Sequence, residues 1–526
     1  MNIEIKKSYL VLPTSQHASV KSLVLKSGGR CVYDLDIRLD YKTATRMAYV
    51  DVKRYVGQIL EVEVVPEVAL AIKQKDNIPA CKFREALRPR YHFTATEGWI
   101  NDPNGLVFVN GIYHLFYQLN PVDTDWGNMH WGHATSTNLV DWEHRSIALF
   151  PDENGAMYSG GAIVDERNLL GLKNDSARPV TVLYYTAAGN KTKTSAGKPF
   201  TQCMAVSRDG CETFEKLEFN PIIHHITAEN RDPKVVYSEK LGLYVMSLYL
   251  EGDKYALFTS TSLTDWEKIQ EISLPDDNEC PAFFPMTVEG EEKWILMGAH
   301  DKYIVGTFDG NTFTPDHDGS KTFNYSNKNT YAAQRFEGIG DGRCVRISWL
   351  RTDLAKYGMP FNGAMTVPQE LSLVRETDGD FLRVLPAKEV ERLRGRRTKE
   401  RGKGTELSVG LSDIASDITI SVKPKDAREV RMSLFGYSFG MSLDKNTFTD
   451  GENTAPVRMT DGKFTVRILT DTCGFEIYLS DGLSYLAKNV VPDGNISTLK
   501  ILSDSEVEVK VDAYKMRKAR FSDKRK

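Results

Sequence analysis

STNLVDWEH (136–144), SRDGCETFEK (207–216) and STSLTDWEKI (260–269) are three versions of one pattern: a small hydroxyl residue, a short polar turn, an aromatic residue, then Glu. TFDGNTFTPD (307–316) is a weaker fourth. The aromatic positions, Trp142, Phe214, Trp266 and Phe313, are 72, 52 and 47 residues apart, about one four-stranded propeller blade each with insertions in the earlier units. A unit recurring at this period buries its apolar face by stacking on its neighbours. Four echoes plus an opening blade before Trp142 predict a five-bladed β-propeller over 85–385. The alternative is a β-sandwich whose hairpins share turn chemistry.

The surrounding sequence reads as all-β. GIYHLFYQLNP (111–121), TVLYYTA (181–187), GLYVMSLYL (242–250), KWILMGAH (293–300) and RCVRISWLR (343–351) are short runs rich in β-branched and aromatic residues, bounded by turn formers. Residues 1–84, with YLVLP, LVLKSGG, YDLDIRLDY and ILEVEVVPEV, read as a small N-terminal sandwich module. The best helix candidate is AKEVERLR (387–394), and the basic GRRTKERGKG (395–404) after it reads as a solvated connection, placing a linker at 386–404. Alternation in ITISVKP (418–424), FTVRILTD (464–471) and VEVKVDAY (507–514) predicts a C-terminal β-sandwich over 405–526, with the basic end KMRKARFSDKRK (515–526) a solvated tail.

Bulk properties exclude several classes. A chain of 526 residues exceeds one hydrophobic core, and 41% hydrophobic with 26% charged residues is ordinary for a globular protein. A net charge of -4 argues against nucleic acid as a partner. Seven scattered cysteines suit free thiols better than a disulfide framework. MNIEIKKSYLVLPTS lacks the apolar core of a signal peptide, and no apolar run approaches membrane-spanning length, so the chain as written reads as cytoplasmic. A periplasmic or secreted protein trimmed of its export signal would read the same.

Three carboxylates stand beside prolines: Asp102 in WINDPNG (99–105), Asp232 in RDP (231–233) and Glu279 in NECP (278–281). Proline directly after Asp102 and Asp232 favours extended backbone at each Asp. Each motif alone reads as a turn. In a propeller, however, equivalent inner strands surround one axis, so side chains 130 and 47 positions apart can converge. Trp99, Asn101, Asn104, Gln118 and Trp126 form an aromatic-plus-amide set suited to stacking on and hydrogen-bonding a sugar. Two carboxyls flanking a glycosidic bond suffice for hydrolysis: one protonates the leaving oxygen, and the other attacks or activates water. Apolar neighbours in CPAFFP (280–285) and a nearby ionised Asp are expected to keep Glu279 protonated, while amides and Arg231 keep Asp102 ionised. His130-x-x-His133 and His224-His225 lack an acidic partner at metalloprotease spacing, so no metal site and no cofactor are expected. Nucleotide-binding loops have no counterpart in the sequence.

WINDPNG, YQLNP, WGHATSTNLVDWEH, YSGGAIVD, RDPKV, NECP, YAAQRF, RISWLRTD and GAMTVPQELSL resemble, in order, the signature blocks of glycoside hydrolase family 32, the invertases, inulinases and levanases. The resemblance is close over about 90–375 and looser in VRILTDTCGFEIYLSDG (466–482). It implies a five-bladed propeller and a retaining double displacement on β-fructosides such as fructans or sucrose. It also implies Asp102 as nucleophile, Glu279 as acid/base and Asp232 as transition-state stabiliser beside Arg231. Asn101, Gln118, Trp126, Ser159 and Trp349 match residues lining the fructosyl subsite, and Tyr158 stands where an aromatic, often Phe, is usual. The sequence departs from the pattern at Ala282, Phe361 and Gln369, and the first two are expected to reshape the leaving-group side. Fructosyl transfer, endo-acting cleavage, an inverting arabinan hydrolase on a similar scaffold and a silent carbohydrate-binding propeller are the alternatives.

Overall fold

The computed structural model of the chain describes residues 1–68, 71–173, 178–326 and 328–525. Five antiparallel sheets follow one another between residues 98 and 386. Blade I contains Gly98–Val109, Ile112–Asn120, His130–Ser136 and Trp142–Leu149. Blade II contains Ala156–Tyr158 and Ala162–Asp165, then Val180–Ala188, Thr201–Ser207 and Glu215–Lys216. Arg231–Ser238 opens blade III, followed by three further strands of its sheet, while Ala282–Val288 opens blade IV and Thr330–Arg335 blade V, each followed by four.

Hydrogen bonds stitch each blade to the next and the last to the first. Gly105 N–H donates to Gly160 O at 3.0 Å, joining blades I and II, and Asp232 N–H donates to Thr186 Oγ1 at 2.9 Å, joining II and III. Cys280 N–H reaches the Asp232 carboxylate at 2.9 Å, and Ala332 N–H reaches Ala299 O at 2.9 Å. Phe108 N–H donates to Glu337 O at 2.8 Å and Glu337 N–H to Leu106 O at 2.9 Å, closing the ring. The fold is a propeller with five blades.

The repeated motif marks the outermost strand of each of the first four blades. In the first and third copies the opening serine hydroxyl accepts from a turn N–H, Ser136 from Asn138 and Ser260 from Ser262, each at 3.1 Å. Leu139 and Leu263 then take left-handed backbone (φ +64° and +73°), and the tryptophan indoles donate to their carbonyls at 3.1 and 2.9 Å. The motif therefore turns the chain and pins the aromatic ring over the turn. Its phase differs from expectation: Trp142 belongs to the opening blade itself, and the blade without a copy is the last, 330–386.

Residues 2–75 form a four-stranded and a three-stranded sheet around Leu10, Leu12, Leu23, Leu35, Ile37 and Val62. Ten strands from 394 onward form one hydrogen-bonded sheet, nine in a single path and Arg394–Gly410 branching from it, around a core including Ile418, Val430, Phe439, Val466 and Val511. Two expectations fail here. The basic stretch 395–404 is not a solvated connection: Arg394–Gly410 is a strand antiparallel to Thr498–Met516, preceded by the 3-10 turn Lys388–Leu393. Backbone pairing tolerates its exposed charges, which find partners in ion pairs such as Lys403–Glu506 at 3.4 Å. Nor is 515–526 a solvated tail. Phe521–Asp523 pairs in parallel with Trp142–His144 at the edge of blade I, Ala519 is buried, and Arg525 meets Asp523 at 2.8 Å and Glu97 at 3.4 Å. The apolar residues Ala519 and Phe521 supply the anchoring that a count of charges hides. All seven cysteines are free thiols.

His92, just before blade I, is clamped in the sandwich: Nδ1 lies 2.9 Å from Asp471 and Nε2 2.9 Å from Glu476, all buried. With carboxylates on both sides, each ring nitrogen donates and the ring is an imidazolium. Cys473 completes a trio of potential metal-ligating atoms with His92 and Asp471, but both imidazole nitrogens are already committed to carboxylates. Burial opposes the charged ring; Cys473 and the bonds to Asp471 and Glu476 outweigh it and hold His92 well above the ordinary histidine range. Burial also works against the two anions, yet the pairing with His92 holds both below the carboxylate range. The imidazolium's contribution is full below about pH 6.5 and is lost as pH rises through its raised folded value, whereas that of the carboxylates is lost only as pH falls through their depressed values. His92→Gln is therefore expected to cost about 3–5 kcal/mol and to flatten the alkaline fall in melting temperature. Melts across pH 5–10 check this, and a variant melting like the parent throughout would rule the latch out.

Candidate active site

Ten of the residues singled out for the site line one cavity of about 380 Å³ at the propeller axis: Asn101, Asp102, Gln118, Trp126, Tyr158, Ser159, Arg231, Asp232, Glu279 and Trp349; Trp99 and Asn104, from the aromatic-plus-amide set, do not. Met129, Lys191, Glu229 and Tyr331 join them.

Asp102 lies in the first strand of blade I, within the register shift between Ile100 and Pro103 that interrupts the ladder. Its carboxylate accepts from Ser159 Oγ at 2.7 Å, Asn101 Nδ2 at 3.1 Å and Cys280 Sγ at 3.6 Å. Burial pushes Asp102 above the ordinary carboxylate range, opposed by the bonds from Ser159 and Asn101. Arg231 does not serve this anion as expected. Its guanidinium donates to Glu279 at 2.7 Å, lies 3.9 Å from the Asp232 carboxylate and rests on the Tyr249 ring at 4.7 Å.

Asp232 is buried and accepts from the N–H and thiol of Cys280, at 2.9 and 3.5 Å. Burial pushes it up to about 7 against the pull of Arg231. The extended backbone expected from its following proline is not what forms. Asp232 has φ +67°, at a bulge between Arg231 and Lys234, and Glu279 (+55°) and Cys280 (+41°) are left-handed too. The blade-to-blade hydrogen bonds from Asp232 N–H to Thr186 and from Cys280 N–H to Asp232 override the local preference, and such strain collects at functional sites. The Cys280 thiol touches both Asp102 and Asp232, so these two carboxylates share one small volume.

Glu279 faces polar groups, not the apolar pocket expected from CPAFFP. Phe283 and Phe284 are buried in the core of blade IV, while the carboxylate takes hydrogen bonds from Arg231 and, at 2.7 Å, from the Tyr331 hydroxyl. Gln118 Oε1 and Trp349 Nε1, one acceptor and one donor, are buried without a partner among the described residues. Buried polar atoms are normally satisfied, so a hydroxyl-rich ligand in this cavity would complete both. Trp126, 56% exposed, stands at the mouth, edge-on to Tyr158.

Residues 92–385 match the model of the glycosyl hydrolases family 32 N-terminal domain. The chain belongs to glycoside hydrolase family 32. Within the family, the levanase of Bacillus subtilis is 30% identical over 475 residues, covering 80% of this chain and 68% of that protein. An extracellular exo-inulinase of Aspergillus ficuum is 27% identical over 515 residues, covering 83% and 95%. The crystal structure of an exo-inulinase from Aspergillus awamori superposes with a TM-score of 0.75 at 22% identity, covering 83% of this chain and 99% of that one, and shares its fold.

Two departures from the family pattern lie elsewhere than expected. Phe361 is fully buried under the Arg88 guanidinium at 3.6 Å, and Ala282 is buried in blade IV; neither lines the cavity. Gln369 bonds Arg346, Glu476 and Tyr478 at the contact between propeller and sandwich. Tyr331 and Cys280 were missed as site residues although both lie in quoted blocks, YAAQRF and NECP. Lys191 and Glu229 sit in loops with no periodic signal.

Proposed function

We propose that this chain hydrolyses terminal β-D-fructofuranosyl residues of fructans or sucrose with retention of configuration. The observation that carries the reading is the convergence of Asp102, Asp232 and Glu279, from three blades, through Cys280 and Arg231 in a cavity lined by amides and aromatics. Relatives named levanase, exo-inulinase and fructan beta-fructosidase support the substrate class.

Asp102, held by Ser159 and Asn101, attacks the anomeric carbon of the fructosyl unit as Glu279 donates its proton to the departing glycosidic oxygen. The C–O bond breaks and a fructosyl ester forms on Asp102. Glu279, now ionised, takes a proton from water, which attacks the same carbon and returns Asp102 as carboxylate. Asp232 hydrogen-bonds the fructosyl hydroxyls, and Arg231 ties it electrostatically to Glu279.

Sugar release from sucrose, inulin and levan tests the substrate, and NMR of the first-formed fructose tests retention. Release of the opposite anomer, or longer fructans in place of free fructose, overturns the corresponding part of the reading. Tyr331→Phe removes one of the two hydrogen bonds that aim Glu279. It is expected to lower kcat by about ten- to a hundredfold, since a hydrogen bond to a charged group is worth roughly 1.5–3 kcal/mol, with KM nearly unchanged. Steady-state kinetics check it; a rise in KM at constant kcat would place Tyr331 in substrate binding instead.

A further inference from the structure

Strand Arg30–Ile37 of the N-terminal module alternates: Tyr33, Leu35, Ile37 and then Leu39 are buried in the module's core, so Asp34, Asp36 and Arg38 project from the opposite face. That face meets the propeller, and all three are engaged there. The Asp34 carboxylate accepts the N–H groups of Lys193 and Thr194 at 3.0 and 3.3 Å and the Thr194 hydroxyl at 3.2 Å. The Asp36 backbone and the Asn128 amide exchange two hydrogen bonds, both 2.8 Å. Arg38 spans Asp123 at 3.0 Å and Asp125 at 2.6 Å.

These partners occupy two loops. Asp123, Asp125 and Asn128 bracket Trp126, while Lys193 and Thr194 closely follow Lys191. Trp126 and Lys191 both line the cavity, and both are far more exposed than Asp232 at its floor, which is 4% exposed. Among the described residues, none of the module lines the cavity itself. A loop ordered before the ligand arrives does not spend binding energy on being ordered.

We propose that the N-terminal module presets the two loops at the mouth of the cavity for the part of a fructan chain beyond the first linkage, with Asp34 and Arg38 as positioning residues. The inference rests on the fructosidase reading. A fructosyl unit seated between Asp102 and Asp232 leaves the rest of its chain to pass outward by Trp126 and Lys191. The module thus favours oligosaccharides over the disaccharide.

The test is steady-state kinetics of the full chain on sucrose and on a fructo-oligosaccharide of four units. Arg38→Ala and Asp34→Ala are each expected to raise KM for the oligosaccharide about tenfold, with kcat and the sucrose KM within twofold of the parent. Arg38→Lys and Asp34→Asn, which preserve part of the bonding, are expected to restore most of the loss and provide a reading should an alanine variant fold poorly. Lys26→Ala breaks an ion pair with Glu63 inside the module, at 2.6 Å, and should leave both KM values unchanged. Equal KM rises on both substrates, an unchanged oligosaccharide KM, or the same change from Lys26→Ala would overturn the proposal. A parent enzyme that releases fructose from neither sugar overturns the fructosidase reading first, and this inference with it.

Discussion

Asp102→Asn is expected to lower kcat by about 10⁴-fold or more, some 5.5 kcal/mol of lost transition-state stabilisation, with the protein staying folded. Asparagine has the same shape, so its amide oxygen still accepts from Ser159 Oγ, and the propeller stitching does not pass through this side chain. What disappears is the anion that must bond to the anomeric carbon. Fructose release from inulin or sucrose measures the loss, and circular dichroism with a melting curve checks the fold. Turnover within tenfold of the parent would remove Asp102 from the role of nucleophile and return the site to a carbohydrate-binding reading.

Glu279→Gln is expected to reduce kcat on natural fructans by about 10²–10⁴-fold, and the loss should depend on the leaving group. Glutamine can accept from Arg231 with its amide oxygen and donate to the Tyr331 hydroxyl, so the local bonding survives with only the transferable proton removed. A fructoside with a weakly basic leaving group, such as nitrophenolate, needs no protonation to depart. Its first step should be nearly normal, giving a burst of nitrophenol followed by slow turnover as the intermediate waits for a general base. Equal losses on both substrates without a burst would show that Glu279 does not protonate the leaving oxygen.

Much of this was legible in the sequence because a turn-and-aromatic motif recurs in it. The Trp142 and Trp266 motifs advertise a turn that an aromatic must cover, and their spacing announces a blade. What single motifs could not show was phase, since the last blade carries no copy. The carboxylates were found because each sits in a short, oddly punctuated motif, but their surroundings were misjudged wherever the neighbours come from another blade. Arg231 precedes Asp232 in sequence yet serves Glu279, and the phenylalanines after Glu279 turn into the blade, away from it. Asp232 escaped its local backbone rule because contacts from adjoining blades outweigh the preference imposed by one proline. Charge misled at both ends of the C-terminal region: 395–404 and 515–526 look solvated by composition, but backbone pairing is blind to side-chain charge.

The docking of Phe521–Asp523 on blade I has a practical consequence for handling the enzyme. The family match stops at residue 385, which invites cutting the gene there to obtain a minimal catalyst. Such a cut would strip the outer strand Trp142–Leu149 of its covering neighbour and leave His92 without either of its carboxylates. Any polypeptide continued beyond Arg525, whether tag, tether or fusion partner, departs from the rim of blade I, so a pull on that anchor is felt by the propeller before it reaches the sandwich.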